Sequence, residues 1–355
     1  MGEQSHLQFR TSLKGQQVTI PSLYSLFPEW NNKLHKDYQR ARDEVLNPWL
    51  KRWVKDAAKC RKLQMAELGV FAAVICADAS FEKLCTAAKY WAWIFIWDDI
   101  FDCGSLSNDA DGLRKYRQKS LEYFKYTLGG QGLRPDLTGF DKELENALLC
   151  WDEVGVHIRQ TCSSSVLEVM LDRMLSYVAS MDTVNSIWKE GNVPSVEEYW
   201  TRRELTAAVY PIIMIIPFIY DLNISKEDVD EDNMKSLWKH TSYLAHITND
   251  MFSMRKEVDD EQIENLVPIL MLQQGISCND AMQLSYTLAQ AEADRFRTTE
   301  GLLRNDKCDG TNSAVPVFIS SCKDVVMGLV HWSYSGERYL KGARINADNS
   351  IVFEL

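Results

Sequence analysis

The chain has 355 residues, 46% hydrophobic and 25% charged, enough for a large core; its length admits two domains or one large helical domain. Asp and Glu outnumber Lys and Arg by 50 to 39, a net charge of -11, which weighs against nucleic acid as the main partner and against a polybasic membrane anchor. Nine cysteines, an odd number without CxxC spacing, argue against a disulfide framework or a zinc site and for a reduced, cytoplasmic setting.

In chain order, "MGEQSHLQFRTSLKGQQ" has no apolar h-region, and His6 stands where a myristoylation motif wants Ser or Thr. Residues 1–30, with "QVTIPSLYSLFPEW", read as an irregular N-terminal arm. Apolar residues then recur at threes and fours in "WNNKLHKDYQRARDEVLNPWLKRWV", "FEKLCTAAKYWAWIFIW", "KELENALLCWDEV", "SSVLEVMLDRMLSYVASMDTV" and "DAMQLSYTLAQAEADRF". No sustained alternation, Asn-Gly hairpin or glycine-rich phosphate loop is found. Loops are expected at "DCGSLSNDADG", "GGQGLRPDLTG", "KEGNVPS" and "RNDKCDGTNSAVP". The longest apolar run, Tyr210 to Tyr220, is too short to span a bilayer and holds two prolines. The pattern predicts one all-α domain, residues 1–355, of about ten helices.

The stretch "WAWIFIWDDIFDCG" is the most informative. Phe81, Leu84, Ala88, Trp91 and Phe95 are spaced by threes and fours, and the same spacing next reaches Asp98 and Asp102. These carboxylates extend the apolar face. A solvated acidic helix end is the competing reading, but acids at a helix C-terminus oppose the macrodipole, and unpaired charges facing a core are costly. A divalent cation answers both objections.

A second set of oxygen donors lies in "ITNDMFSMRKE". Asn249, Ser253 and Glu257 fall at i, i+4 and i+8, a pattern suited to Mg2+ rather than zinc, and Lys256 lies beside Glu257. The small residues Ser242 and Ala245 precede them on this face. An exposed polar helix face is the bland alternative. "SVEEYWTRRELTAAVYPII" opens with a capping box, Ser195 to Glu198, and then places Tyr199, Arg203, Thr206 and Tyr210 on one side. Pro211 lacks the amide hydrogen that the Ala207 carbonyl would receive, which predicts a kink. "HWSYSGERYL" puts Gly328, Trp332, Ser335 and Tyr339 on one stripe, with Arg338 beside Tyr339.

Together these features resemble the class I terpene cyclases, most closely the fungal sesquiterpene cyclases. "DDIFD" looks like the DDxxD motif, "NDMFSMRKE" matches NDxxSxxKE at every defined position, and Arg338-Tyr339 matches the family's C-terminal RY pair. Arg203, rather than Arg202, stands where the family has a diphosphate-sensing arginine.

The resemblance covers nearly the whole chain and implies an α-helical bundle with an apolar cavity open at one end. It implies three Mg2+ ions, with two held by Asp98 and the third by Asn249, Ser253 and Glu257. Asp102 is an outer-shell or direct ligand, and Asp99 pairs with Arg338. Diphosphate would meet Arg203, Lys256, Arg338 and Tyr339. The Ala207 carbonyl matches a helix-break position that is often glycine in the family.

Phe95, Trp91 and Trp332 could offer π faces to a carbocation. The implied substrate is a prenyl diphosphate, farnesyl diphosphate by chain size, with geranyl or geranylgeranyl diphosphate as alternatives. A trans-prenyl diphosphate synthase is the rival enzyme; it would need a second aspartate-rich motif, which "VDDEQIEN" does not supply. "DVDED", in an expected loop, is not the DxDD of a class II cyclase. A non-catalytic helical binding protein is the rival of another class. No organic cofactor, nucleic acid or membrane span is expected, and the assembly is a monomer or homodimer. The loops after Asp102 and around 304–316 are expected to close over the site.

Overall fold

In the computed structural model the described residues are 9, 11–30, 33–102, 106, 109–181, 194–259, 265–307 and 314–355. Strand β1 (Gln17–Ile20) and a 3-10 turn at Leu23–Leu26 come first. Helix α1 (Tyr38–Arg40) then passes through a π turn at Ala41–Leu46 into α2 (Asn47–Trp53). Next come α3 (Ala57–Met65), α4 (Leu68–Ile75), α5 (Phe81–Asp102), α6 (Ala110–Thr127), α7 (Lys142–Leu149), α8 (Asp152–Thr161) and α9 (Ser164–Ser180). The later helices are α10 (Val196–Thr206), α11 (Val209–Met214), α12 (Ile216–Tyr220), α13 (Lys226–Asp230), α14 (Asp232–Asp259), α15 (Leu266–Gln274), α16 (Cys278–Lys307), α17 (Ala314–Ser335) and α18 (Glu337–Leu340). The strands β2 (Arg344–Ile345) and β3 (Ile351–Glu354) end the order.

Local chemistry sets many of these starts. Asp56, Asp109, Asp141, Ser163, Ser195 and Ser225 each accept the amide three residues on, each cap being worth about 1 kcal/mol. Two expected helices divide. The run from Trp30 to Val54 starts only at Tyr38 and passes through the π turn before Pro48, a residue without an amide hydrogen in the first turn of α2. The run from Lys142 splits between α7 and α8 at Cys150–Trp151. "DVDED" is mostly helical rather than a loop: it forms the end of α13, the single extended residue Glu231 and the first residue of α14.

Helix α5 is buried on nearly every side, as expected of a helix apolar all round. Trp93 and Trp97 give their indole hydrogens to the Ala147 carbonyl (2.9 Å) and Ser120 Oγ (3.0 Å), and Tyr90 gives its hydroxyl to the Pro211 carbonyl (3.0 Å). These bonds satisfy the polar tips of large rings inside the core. Helix α4 lies between α5 and α17, and α14 packs along α16 and α17. Close approach of α17 to α4 depends on Gly328, where a Cβ would stand 3.0 Å from the Phe71 ring.

The expected irregular arm is instead ordered from β1 onward. β1 and β2 flank β3 in an antiparallel sheet, with Gln17 opposite Glu354 and Ile20 opposite Ile351. Val18, Ile20, Ile351 and Phe353 are buried, a period-2 pattern too short in each strand to stand out in the sequence. Asn279 covers the outer edge of β1, accepting from Thr19 N (2.9 Å) and donating to the Gln17 carbonyl (3.0 Å). Tyr24 stacks on Tyr334, with ring centroids 4.7 Å apart.

Cys60, Cys76, Cys85, Cys150, Cys162, Cys278 and Cys322 are free thiols. Val196–Tyr220 and Ala314–Ser335 are long and apolar enough by composition to cross a membrane, but more than half of each is packed inside the protein. The first of these stretches is divided into three helices, α10, α11 and α12.

Candidate active site

The open side of α5 is at its C-terminal end, where Phe95, Asp98 and Asp99 are only half-buried. Asp98 accepts the Tyr177 hydroxyl at 2.9 Å. Burial pushes the Asp98 carboxyl up to about 6. The Tyr177 bond opposes that rise, Asp99 adds to it, and Arg203 and Arg338 also oppose it. Asp98 is thus within electrostatic reach of both arginines, one from α10 and one from α18. Asp102 ends α5; its side chain lies outside the described residues, as do residues 103–105, 107–108 and 308–313 of the loops expected to close the site. His6, the residue bearing on acylation, also lies outside them.

On α14, Asn249 and Glu257 are half-buried and Ser253 is buried, one turn apart along a single face. Lys256 is half-buried, two turns after Asn249 on the same side. Asn249 Nδ2 donates to the Tyr339 hydroxyl at 3.1 Å, and Arg338 Nε approaches that hydroxyl at 3.4 Å. The RY pair and the first oxygen donor of α14 therefore meet at one phenol. Tyr339 does not continue the helical stripe of Trp332: α17 stops at Ser335, Ser335 is exposed, and the chain re-enters helix after Gly336. Tyr339 nevertheless packs edge-on against Trp332, ring centroids 5.6 Å apart. Arg255, which the sequence pattern did not single out, holds this segment by donating to the Tyr339 carbonyl at 3.0 Å.

Between α10 and α14, Arg203 lies 3.4 Å from Asp250. Asp250 is fully buried, and it also accepts the Leu266 amide at 2.7 Å and the Tyr199 hydroxyl. Burial pushes this carboxyl up to about 7; Arg203 pulls it down and Glu257 pushes it further up. Arg202 is buried. The kink expected at Pro211 is instead a break: α10 ends at Thr206, Ala207 caps it, and Ala208 adopts φ 58° before α11 begins. Pro211 falls in the first turn of α11, where its missing amide hydrogen costs nothing.

Phe95 and Trp332 are brought together, with centroids 5.5 Å apart. Their surroundings differ from the expectation of open π faces. The Arg338 guanidinium lies over the Phe95 ring at 4.7 Å. Trp332 is buried, stacked on Phe71 at 5.8 Å and bonded through its indole nitrogen to the Ala66 carbonyl. Trp91 is buried against Phe71 at 5.1 Å. Trp332 and Trp91 thus form the layer behind Phe95.

Among the described residues no three His, Cys, Asp or Glu side chains form a metal-binding group. The donor set that fits a cation is instead the Asn, Ser and Glu oxygens of α14, opposite the carboxylates of α5, all hard oxygen ligands. Burial leaves the Asp98 carboxylate poorly solvated, with Asp99 adding to the rise, and a bound cation would balance that charge. Tyr177 and Arg255 were not legible as site residues, because each acts through a contact made only in the folded chain; Asp250 was legible only as a motif position, without its partners.

The chain is 23% identical over 343 residues to the sesquiterpene cyclase hepA of Aspergillus oryzae, covering 93% of this chain and 91% of that protein. Germacrene A synthase of Nostoc punctiforme is 22% identical over 325 residues, 91% of this chain and 96% of that one. Among solved structures, a cucumene synthase variant superposes with a TM-score of 0.74 at 20% identity, covering 88% of this chain and 99% of its own. Germacradien-4-ol synthase from Streptomyces citricolor gives 0.70, at 20% identity, over 86% and 96%. At such identities the structures speak for the all-α fold alone. The family description "Terpene synthase family 2, C-terminal metal binding" matches residues 89–295, more than half of the chain, from within α5 to within α16, and the protein therefore belongs to the terpene synthase family of enzymes.

Proposed function

We propose that the protein is a Mg2+-dependent sesquiterpene cyclase that ionises farnesyl diphosphate and cyclises the cation to a hydrocarbon or alcohol. Asp98, Arg203, Asn249, Ser253, Glu257 and Arg338-Tyr339 converge at one end of α5 and α14, beside Phe95, and that convergence carries the proposal. Asp98, with Asp102, and the Asn249, Ser253 and Glu257 set would hold three Mg2+ ions. When bound, these supply Lewis-acid neutralisation of the diphosphate.

Arg203, Lys256, Arg338 and Tyr339 bind the diphosphate oxygens. Their positive charge and hydrogen bonds stabilise the charge that develops as the allylic C–O bond breaks and its electron pair leaves with the diphosphate. Phe95, backed by Trp332 and Trp91, keeps water from the hydrocarbon. The Ala207 carbonyl, at the helix break, would take the helix-break role of the family. The cation ends by losing a proton or by taking up water. The chain acts as one domain in the cytoplasm.

Incubation of purified protein with farnesyl diphosphate and Mg2+, followed by gas chromatography of the headspace, tests this. Cyclic C15 products that vanish in excess EDTA are expected. Parallel incubations with geranyl and geranylgeranyl diphosphate, and with farnesyl plus isopentenyl diphosphate, report the alternative substrates and the chain-elongating activity. Turnover unaffected by EDTA, or elongation without cyclisation, overturns the proposal.

A further inference from the structure

Asn265 is fully buried at the start of α15, eight residues after Glu257, and its side chain is saturated with contacts to α14. Nδ2 donates to Glu257 Oε2 at 2.8 Å and to the Asp250 carbonyl at 2.8 Å, and it lies 3.4 Å from Ser253 Oγ. Oδ1 accepts the Val267 amide at 2.9 Å. That last bond fixes the orientation of the side chain, since a backbone N–H can only donate and must face the oxygen; the NH2 group then faces Glu257. The next residue, Leu266, gives its own amide to Asp250, the partner of Arg203. One turn of chain therefore grips two of the three α14 oxygen donors and the carboxylate that steadies Arg203.

We infer that Asn265 is a positioning residue that presets Glu257 and Ser253 for the cation. The inference rests on the metal-dependent reading above. A carboxylate free to rotate would have to be ordered when the metal binds. Here the amide orders one Glu257 oxygen beforehand and leaves the other available. The Asp250 carbonyl bond fixes Asn265 itself to α14, so the clip cannot swing away with α15. Neither NDxxSxxKE nor the spacing within α14 contains this contact, because it is made across the segment at 260–264.

Asn265→Ser separates the two jobs of this side chain: serine still caps α15 but cannot reach and donate to Glu257. Calorimetric titration with Mg2+ and inorganic diphosphate should show binding weakened by about tenfold or more. The Mg2+ concentration for half-maximal turnover should rise in step, and saturating Mg2+ should restore most of kcat. A merely structural role would lower the thermal midpoint without Mg2+ rescue. Where the serine variant does not fold, Asn265→Asp keeps the shape and the cap but replaces the donor with a charge beside Glu257, and should also weaken binding. Mg2+ and diphosphate affinity within twofold of wild type in the folded variant overturns the inference. Wild-type protein that fails to bind diphosphate with Mg2+ overturns the proposed function instead.

Discussion

Phe95 carries the Arg338 guanidinium on its ring at 4.7 Å, so the side chain expected to shape the product also positions one expected to drive ionisation. The two roles cannot be separated as cleanly as their positions in the sequence suggest. A partly desolvated cation–π contact is worth about 1–2 kcal/mol, so Phe95→Leu should lower kcat/KM by about 5- to 30-fold and weaken inorganic diphosphate binding, besides shifting products toward acyclic ones. An unchanged diphosphate affinity would assign Phe95 to the hydrocarbon alone. Arg338→Ala should cost on the order of 2–4 kcal/mol in barrier, read as turnover, with the product pattern altered less. The helix periodicity of α14 made Asn249, Ser253 and Glu257 legible, because all three sit on one element. Arg255 and Asn265 were illegible for the opposite reason: the first works through α18 and the second through the start of α15.

At the scale of elements, Pro211 was expected to kink the helix at the Ala207 carbonyl; the helix instead breaks outright at Ala207–Ala208. Ala208 adopts φ 58°, a conformation that costs an L-residue about 1 kcal/mol and glycine almost nothing. Ala208→Gly should therefore leave thermal stability unchanged or slightly raised, and Ala208→Val should lower it, by about 1–3 kcal/mol; differential scanning calorimetry separates them. Gly328→Ala is expected to lower the midpoint too. Its Cβ would stand 3.0 Å from Phe71 and 3.3 Å from Ile75, both buried on α4, and overpacking of this kind costs about 1–3 kcal/mol. Phe71 stacks on Trp332 behind Phe95, so the same variant should disturb the product pattern. Where single elements were misread, as at Trp30–Val54 and Lys142–Val154, apolar spacing alone had no means of locating a π turn or a buried Trp151 at a helix junction.

The whole molecule has its own pH response. Asp324, on α17, has its carboxyl pushed up to about 7 by burial, with Asp78 adding to the rise. An unfolded aspartate titrates near about 4. The folded chain therefore holds the proton more tightly, and the stability this lends is full below about pH 4 and lost as pH climbs through about 7. Wild-type protein should lose about 2 kcal/mol between pH 5.5 and 8 from this group. Asp324→Asn should flatten that part of the urea-denaturation profile; an identical profile would remove Asp324 as the cause. The helical class and both acidic faces were visible in the sequence, whereas the small sheet was not, since each of its strands is only a few residues long and β1 gains its partner from the far end of the chain. That pairing also orders events during synthesis. Gln17 is made long before Glu354 and must wait unpaired until that strand emerges, while Arg338 and Tyr339 emerge just ahead of the strand that closes the sheet. A chain that stops short of Arg338 thus has its aspartate-bearing helix without the arginine that lies over Phe95, and without the strand that closes the sheet.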